Sequence, residues 1–138
     1  MQSNVVQLKF RIQDLSDSQQ EKVDELVKQQ IQAYVTYHDL STPKGVSALI
    51  GHIKKAYQVA IEAVGLGCLE IAVQCPSLES LENLWSDYCS GHLNEVAERL
   101  LVTDDLKRKL GLEAVRIKTT IEEENYLACK RDLMGMPG

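Results

Sequence analysis

Residues Val5 to Ile12 alternate in polarity: Val6, Leu8, Phe10 and Ile12 are apolar, with Gln7, Lys9 and Arg11 between them. A period of two predicts a strand with one dry face and one wet face. The period then changes. Ser16 or Asp17 can cap the next segment, Glu21 lies in its first turns, and Val23, Leu26, Val27, Gln30 and Ile31 fall on one stripe, with Ala33 and Tyr34 near its end. That spacing predicts an amphipathic helix. Residues 35–41 read as an extended stretch or loop. Thr42-Pro43 then offers a cap with proline at the first helical position, and Val46, Leu49, Ile50 and Ile53 keep helical spacing.

The stop of this second helix is the ambiguous point. Tyr57, Ala60, Ile61 and Val64 extend the helical pattern, yet Tyr57 to Val64 also reads as a strand after a stop near Lys55. Pairing favours the strand. Folded at Leu66, within Gly65-Leu66-Gly67, the chain sets Val64 against Cys68, Glu62 against Glu70, Ile61 against Ile71, Ala60 against Ala72, Val59 against Val73 and Gln58 against Gln74. Polarity matches at every step, the pattern of a hairpin with a three-residue glycine loop. One face then carries Tyr57, Val59, Ile61, Leu69, Ile71 and Val73. The like-charge pair Glu62–Glu70 is a cost, which a neighbouring strand bearing Lys9 and Arg11 can offset.

Pro76-Ser77 ends the hairpin and caps a helix with an apolar stripe of Leu78, Leu81, Leu84, Trp85 and Tyr88. Gly91 is its stop or kink, and Leu93, Val96, Ala97 and Leu100 mark a further helical stretch. Thr103 caps a short helix that closes at Gly111, with Asp104 and Asp105 at its start and Lys107, Arg108 and Lys109 near its end. Residues Ala114 to Thr119 alternate again. Thr120 with Glu123 reads as a capping box for a last helix, to which Ile121, Tyr126, Leu127, Cys129 and Leu133 supply apolar contacts.

The order is β-α-α-β-β-α-α-β-α, on a βαββαβ skeleton. The predicted fold class is α+β: a split, ferredoxin-like α–β sandwich with a four-stranded antiparallel sheet and helices on one face. Residues 1–134 make one domain, and 135–138 a tail or linker. The other sheet face is left open and carries Gln7, Lys9, Arg11, Gln58, Ala60, Glu62, Glu70, Ala72, Gln74, Arg116 and Lys118. These are the candidate partner-binding residues. A merely solvated face is the plain alternative, since an antiparallel sheet tolerates water on one side.

Composition narrows the function. With 15 basic against 20 acidic residues the net charge is −5, which speaks against a general nucleic-acid or anionic-membrane groove. No apolar run reaches the roughly 18 residues of a membrane span, and Met1-Gln2-Ser3-Asn4 lacks a signal-peptide pattern. A cytoplasmic location is the expectation. Cys68, Cys75, Cys89 and Cys129 sit in or beside apolar runs and read as reduced core thiols. Cys89 and His92 form a single close pair of metal-ligand residues, where a structural zinc site usually shows two, so no metal is expected. Nor does the pattern orient a base for Cys89 as a nucleophile. Glu122, Glu123 and Glu124 read as helix-start carboxylates. Gly65 and Gly67 are turn glycines without a phosphate-loop context.

From residue 67 to residue 134 the chain resembles a known family. The run Cys68-Leu69-Glu70-Ile71-Ala72-Val73-Gln74-Cys75 is followed by Trp85-Ser86-Asp87-Tyr88, Ser90-Gly91-His92-Leu93-Asn94, Val115-Arg116-Ile117 and Glu122-Glu123-Glu124-Asn125-Tyr126-Leu127-Ala128-Cys129. This looks like the N-terminal domain of the death-receptor adaptor TRADD, with its Tyr-x-x-Gly-x-Leu step at Tyr88 to Leu93. The resemblance covers the C-terminal half well and the first strand and helix loosely. It implies a non-enzymatic adaptor domain, without cofactor, that recruits the C-terminal domain of TNF-receptor-associated factors through the open face and edge of its sheet. By position those contacts fall on Gln7, Lys9, Glu70 and Ala72. The family's first-strand positions are aromatic and apolar, whereas these are polar and charged, so the fold carries over further than the partner.

The function expected is therefore protein–protein interaction in apoptotic or innate-immune signalling. The alternative is a ferredoxin-like regulatory domain that binds a small ligand or self-associates as a homo-oligomer.

Overall fold

The computed structural model describes residues 4–37, 45–65 and 69–135, apart from the side chains of Val35 and Tyr37. β1 (Val5–Ile12) alternates as expected, with Val6, Leu8 and Phe10 buried and Gln7 and Arg11 exposed. α1 (Asp17–Tyr37) opens behind Ser16. Ser16 Oγ accepts from the Gln19 N–H at 3.2 Å, and Gln19 Oε1 accepts from the Ser16 N–H at 2.9 Å. This reciprocal pair satisfies two donors that a helix start would otherwise leave open.

α2 (Val46–Tyr57) starts later than the sequence suggests. Thr42-Pro43 lies outside the described residues, and the helix begins behind Gly45. Its cap comes from another helix: Gln30 Oε1, on α1, accepts the Val46 N–H at 2.9 Å. Gly45 has φ 105°, and a Cβ there would stand 3.0 Å from that same oxygen, so glycine suits the site twice over. The helix then runs through Tyr57, past the expected stop at Lys55, and Gln58 closes it at φ 55°. Tyr57 and Gln58 are thus helix end, not strand.

β2 (Ala60–Gly65), β3 (Leu69–Gln74) and β4 (Ile117–Thr120) join β1 in a four-stranded sheet of order β2-β3-β1-β4, antiparallel throughout. α2 does not run on to Val64; the β2–β3 pairing exists, but in another register. Ile61 pairs with Val73 and Ala60 with Gln74, two residues from the expected Ile71 and Ala72, and Val64 pairs with Ile71, three from the expected Cys68. The displacement is three on the loop side of Glu62, and a bulge there takes one residue back: Ile61 opposes Val73, Ala63 opposes Ala72, and Glu62 is the extra residue. The bulge lets Ile61 and Val64, three apart, both pack against the core. The displaced register also removes the Glu62–Glu70 pair. Glu70 instead has Gly65 opposite on one side and Lys9 on the other. Leu66, Gly67 and Cys68 lie outside the described residues.

α3 (Leu78–Ser90) and α5 (Asp104–Leu110) start at the caps read from sequence: Ser77 Oγ accepts from Ser80 N–H and Thr103 Oγ1 from Leu106 N–H, each at 3.1 Å. α4 (His92–Leu101) follows Gly91, which closes α3 at φ 85°. α5 stands as a helix of its own beyond the expected order. α6 (Glu123–Leu133) has Glu122 at its cap position without a side-chain cap. Thr120 is no cap, because it is the last rung of β4, paired with Lys9. The ladder of β4 begins at Ile117, although burial already alternates from Val115.

The core lies between the dry sheet face and the helices. Leu8, Ile71 and Val73 meet Leu49, Ile50, Ile53, Leu81, Leu84, Leu93 and Val96, all under 2% exposed. Each such side chain contributes about 1.5–3 kcal/mol by leaving water. Leu127, expected on the inner stripe of α6, is 42% exposed. Among the described cysteines Cys75 and Cys129 are buried, whereas Cys89 is exposed and so is no core thiol.

Candidate functional site

Strand periodicity builds the candidate site. With Val6, Leu8 and Phe10 committed to the core, Gln7, Lys9 and Arg11 must point the other way. Pairing lines Gln7 up with Ala72, Lys9 with Glu70 and Thr120, and Arg11 with Lys118. Gln74 pairs with Ala60 at the far side. Eight of the expected face residues thus share the open surface: Gln7, Lys9, Arg11, Ala60, Glu70, Ala72, Gln74 and Lys118. Arg116 continues the exposed parity just before β4.

Two expected residues fall elsewhere. Gln58 is the left-handed C-cap of α2, where its Nε2 donates to Lys55 O at 2.8 Å, and it does not join the sheet. Glu62 is exposed at the bulge, and Ala63 takes its place opposite Ala72. Ala63, Gly65 and Thr120 belong to the face and were missed. Only Thr120 had a local signal, the continuing alternation Arg116, Lys118, Thr120.

The face is divided in character. Ala60, Ala63, Gly65 and Ala72 make the β2–β3 side shallow. Lys9, Arg11, Arg116 and Lys118 make the β1–β4 side basic. Lys9 lies 4.0 Å from Glu122, a solvent-exposed pair of small worth.

One sheet edge is closed by side chains. On α4, Asn94 Oδ1 accepts from the Thr119 N–H at 2.7 Å and Glu98 Oε1 from the Ile117 N–H at 3.0 Å. Asn94 and Glu98 are four apart, so one helix face reaches alternate rungs of the strand. On α6, Asn125 Oδ1 accepts from Gln7 N–H at 2.8 Å, and its Nδ2 donates to Val5 O at 2.9 Å. These bonds occupy backbone groups that an added strand would need.

The helical side holds a polar cluster. Tyr57 Oη donates to Asp87 Oδ2 at 2.6 Å. Burial, that hydrogen bond and the Asp87 charge all push the Tyr57 hydroxyl pKa up. Nearby, burial, Arg99 and His92 push His52 below its ordinary value, against Asp87. An apolar hollow between α1 and the sheet, lined by Phe10, Val23, Val27, Leu69 and Leu106, measures about 40 Å³. That holds no more than a few water molecules. Among the described residues no three metal-ligating side chains gather, and no helix is long and apolar enough to cross a membrane.

The chain is similar to human death effector domain-containing protein. The two are 30% identical over 69 residues, 50% of this chain and 22% of that protein. Human DNA-binding death effector domain-containing protein 2 is 32% identical over 71 residues, 51% of this chain and 22% of that protein. The mouse form of that second relative matches over the same shares. The chain therefore covers 22% of the length of these relatives. No family model matches it. No solved structure matches it.

Proposed function

We propose that this chain is a non-enzymatic protein–protein interaction module of apoptotic or innate-immune signalling, which recruits its partner through the open sheet face. The observation that carries the reading is a sheet with one face packed into the core through Leu8, Ile71 and Val73 and a laterally continuous row of Gln7, Lys9, Glu70 and Ala72 on the other. The resemblance to the TRADD N-terminal domain supports an adaptor role with a TNF-receptor-associated factor-like partner. The names of the similar proteins, which include a death effector domain, support the signalling context. An intracellular, cytoplasmic setting goes with this role.

The test is a titration of the chain with the C-terminal domain of a TNF-receptor-associated factor. Wild type binds, and Ala72→Arg, which plants a bulky charge at the centre of the face, weakens binding by at least about tenfold, the equivalent of about 1.4 kcal/mol. A thermal melt checks that the variant folds. A wild-type chain that does not bind, or a variant that binds equally well, overturns the reading.

A further inference from the structure

Arg11 on β1 and Lys118 on β4 stand directly opposite one another, and both are exposed. Such partners hold their Cβ atoms about 5 Å apart, and like charges in that position repel. Arg116, also exposed, precedes Lys118 by two residues on the same alternation. Among the described residues none of the three forms an ion pair; the pairs present engage Lys9, His92, Arg108, Lys109 and Lys130. The chain carries a net charge of −5, so this basic cluster is a local feature and no reflection of overall charge.

The surface around it is concave. A hollow of about 390 Å³ is lined by Arg11, Gln13, Asp14, Gln20, Lys118 and Thr120. A second, of about 300 Å³, is lined by Gln7, Lys9, Thr120, Glu122 and Asn125. Thr120 lines both, so together they form one trough along β1.

We propose that this trough binds an acidic, extended segment of a partner protein, with carboxylates over Arg11 and Lys118. The proposal rests on the open-face reading above and names the chemistry of the partner. A guanidinium offers a carboxylate two parallel N–H donors, and the bound anion also relieves the Arg11–Lys118 repulsion. Nucleic acid fits less well. A DNA duplex carries a charge about every 1.7 Å, and Asp14 and Glu122 stand in the two hollows where further phosphates would fall. An extended peptide turns alternate side chains away from the surface, so it can set one or two carboxylates on Arg11 and Lys118 and keep the rest in solvent, clear of both.

The probes are a fluorescent hexaglutamate peptide and a duplex DNA oligonucleotide, each titrated into the whole chain. Hexaglutamate binds wild type saturably and more weakly as salt rises. The double variant Arg11→Glu/Lys118→Glu keeps a like-charge pair and hence the stability of the sheet, yet loses at least about tenfold in affinity. Arg11→Glu alone creates an opposite-charge pair, so it melts no lower than wild type and still loses binding. The proposal is overturned if wild type does not bind the peptide or if both variants bind like wild type. Tighter binding of the duplex, lost in the same variants, also overturns it and assigns the cluster to nucleic acid. Ala72→Arg separates the two claims. If it blocks the protein partner while the Arg11 variants leave hexaglutamate binding intact, the acidic-segment proposal falls and the open face stands. Hexaglutamate binding lost in the Arg11 variants, with no partner lost in Ala72→Arg, has the opposite meaning.

Discussion

Asn125 Oδ1 accepts a 2.8 Å hydrogen bond from the backbone N–H of Gln7, and the same carboxamide donates to Val5 O at 2.9 Å. β4 pairs with β1 only from Lys9 onward, so this one side chain takes the place of the missing strand. Asn125→Ala opens both backbone groups and is expected to cost about 1–2 kcal/mol. Urea unfolding reads the loss. Hydrogen exchange localises it, with the Gln7 amide exchanging faster while amides bonded to β3 keep their protection.

Trp85 and Tyr126 stack at 4.1 Å between ring centroids, with planes 5° apart, and join α3 to α6. Tyr126 Oη also donates to Glu82 Oε1 at 2.7 Å. The two contacts separate by mutation. Tyr126→Phe keeps the stack and loses the hydrogen bond, at about 1 kcal/mol. Tyr126→Ala loses both, at about 3 kcal/mol or more. Equal denaturation midpoints for the two variants would show that the stack contributes nothing.

The parts of this fold visible in sequence are those decided within a few residues. The alternation of Val6, Leu8 and Phe10 needs no knowledge of the rest of the chain, and neither do the caps Ser77 and Thr103 or the glycine stops Gly91 and Gly111. What escaped depends on distant partners. The start of α2 is set by Gln30, sixteen positions away on another helix. The β2–β3 register is displaced by two to three residues and broken by a bulge at Glu62; mirror-image alternation fits several registers equally well, and no polarity pattern announces the bulge. Thr120 satisfies a local capping pattern, but pairing with Lys9 claims it for the sheet. The face residues on β1 and β3 were therefore legible, whereas Glu62 and Gln58 were misplaced.

Stability should fall as pH drops below 6.5. Burial, Arg99 and His92 hold the native His52 pKa below its ordinary value of 6.5, while Asp87 pulls it up. In the window between the two values the unfolded chain binds a proton that the native chain refuses. The unfolded state then binds more protons, so stability rises with pH through that window and is lost as pH falls. Melting temperatures measured above and below 6.5 test this. His52→Gln is expected to flatten the dependence there, and an unchanged slope would assign it to other groups.

Cysteine reactivity reports on how α6 is held against the end of β3. A thiol–thiol hydrogen bond with Cys129 and then burial push the Cys75 thiol up, away from the reactive thiolate. Both side chains are fully buried, whereas Cys89 is exposed at the end of α3. Iodoacetamide should therefore modify Cys89 in the native protein. Cys75 and Cys129 must wait for the chain to open, and a stability of even about 5 kcal/mol makes that at least roughly a thousandfold slower. Peptide mapping against time separates the sites. Added urea should accelerate Cys75 and Cys129 together and leave Cys89 little changed. If Cys129 alone accelerates, α6 detaches before the sheet unfolds, and Asn125 and Tyr126 hold it less firmly than their geometry implies.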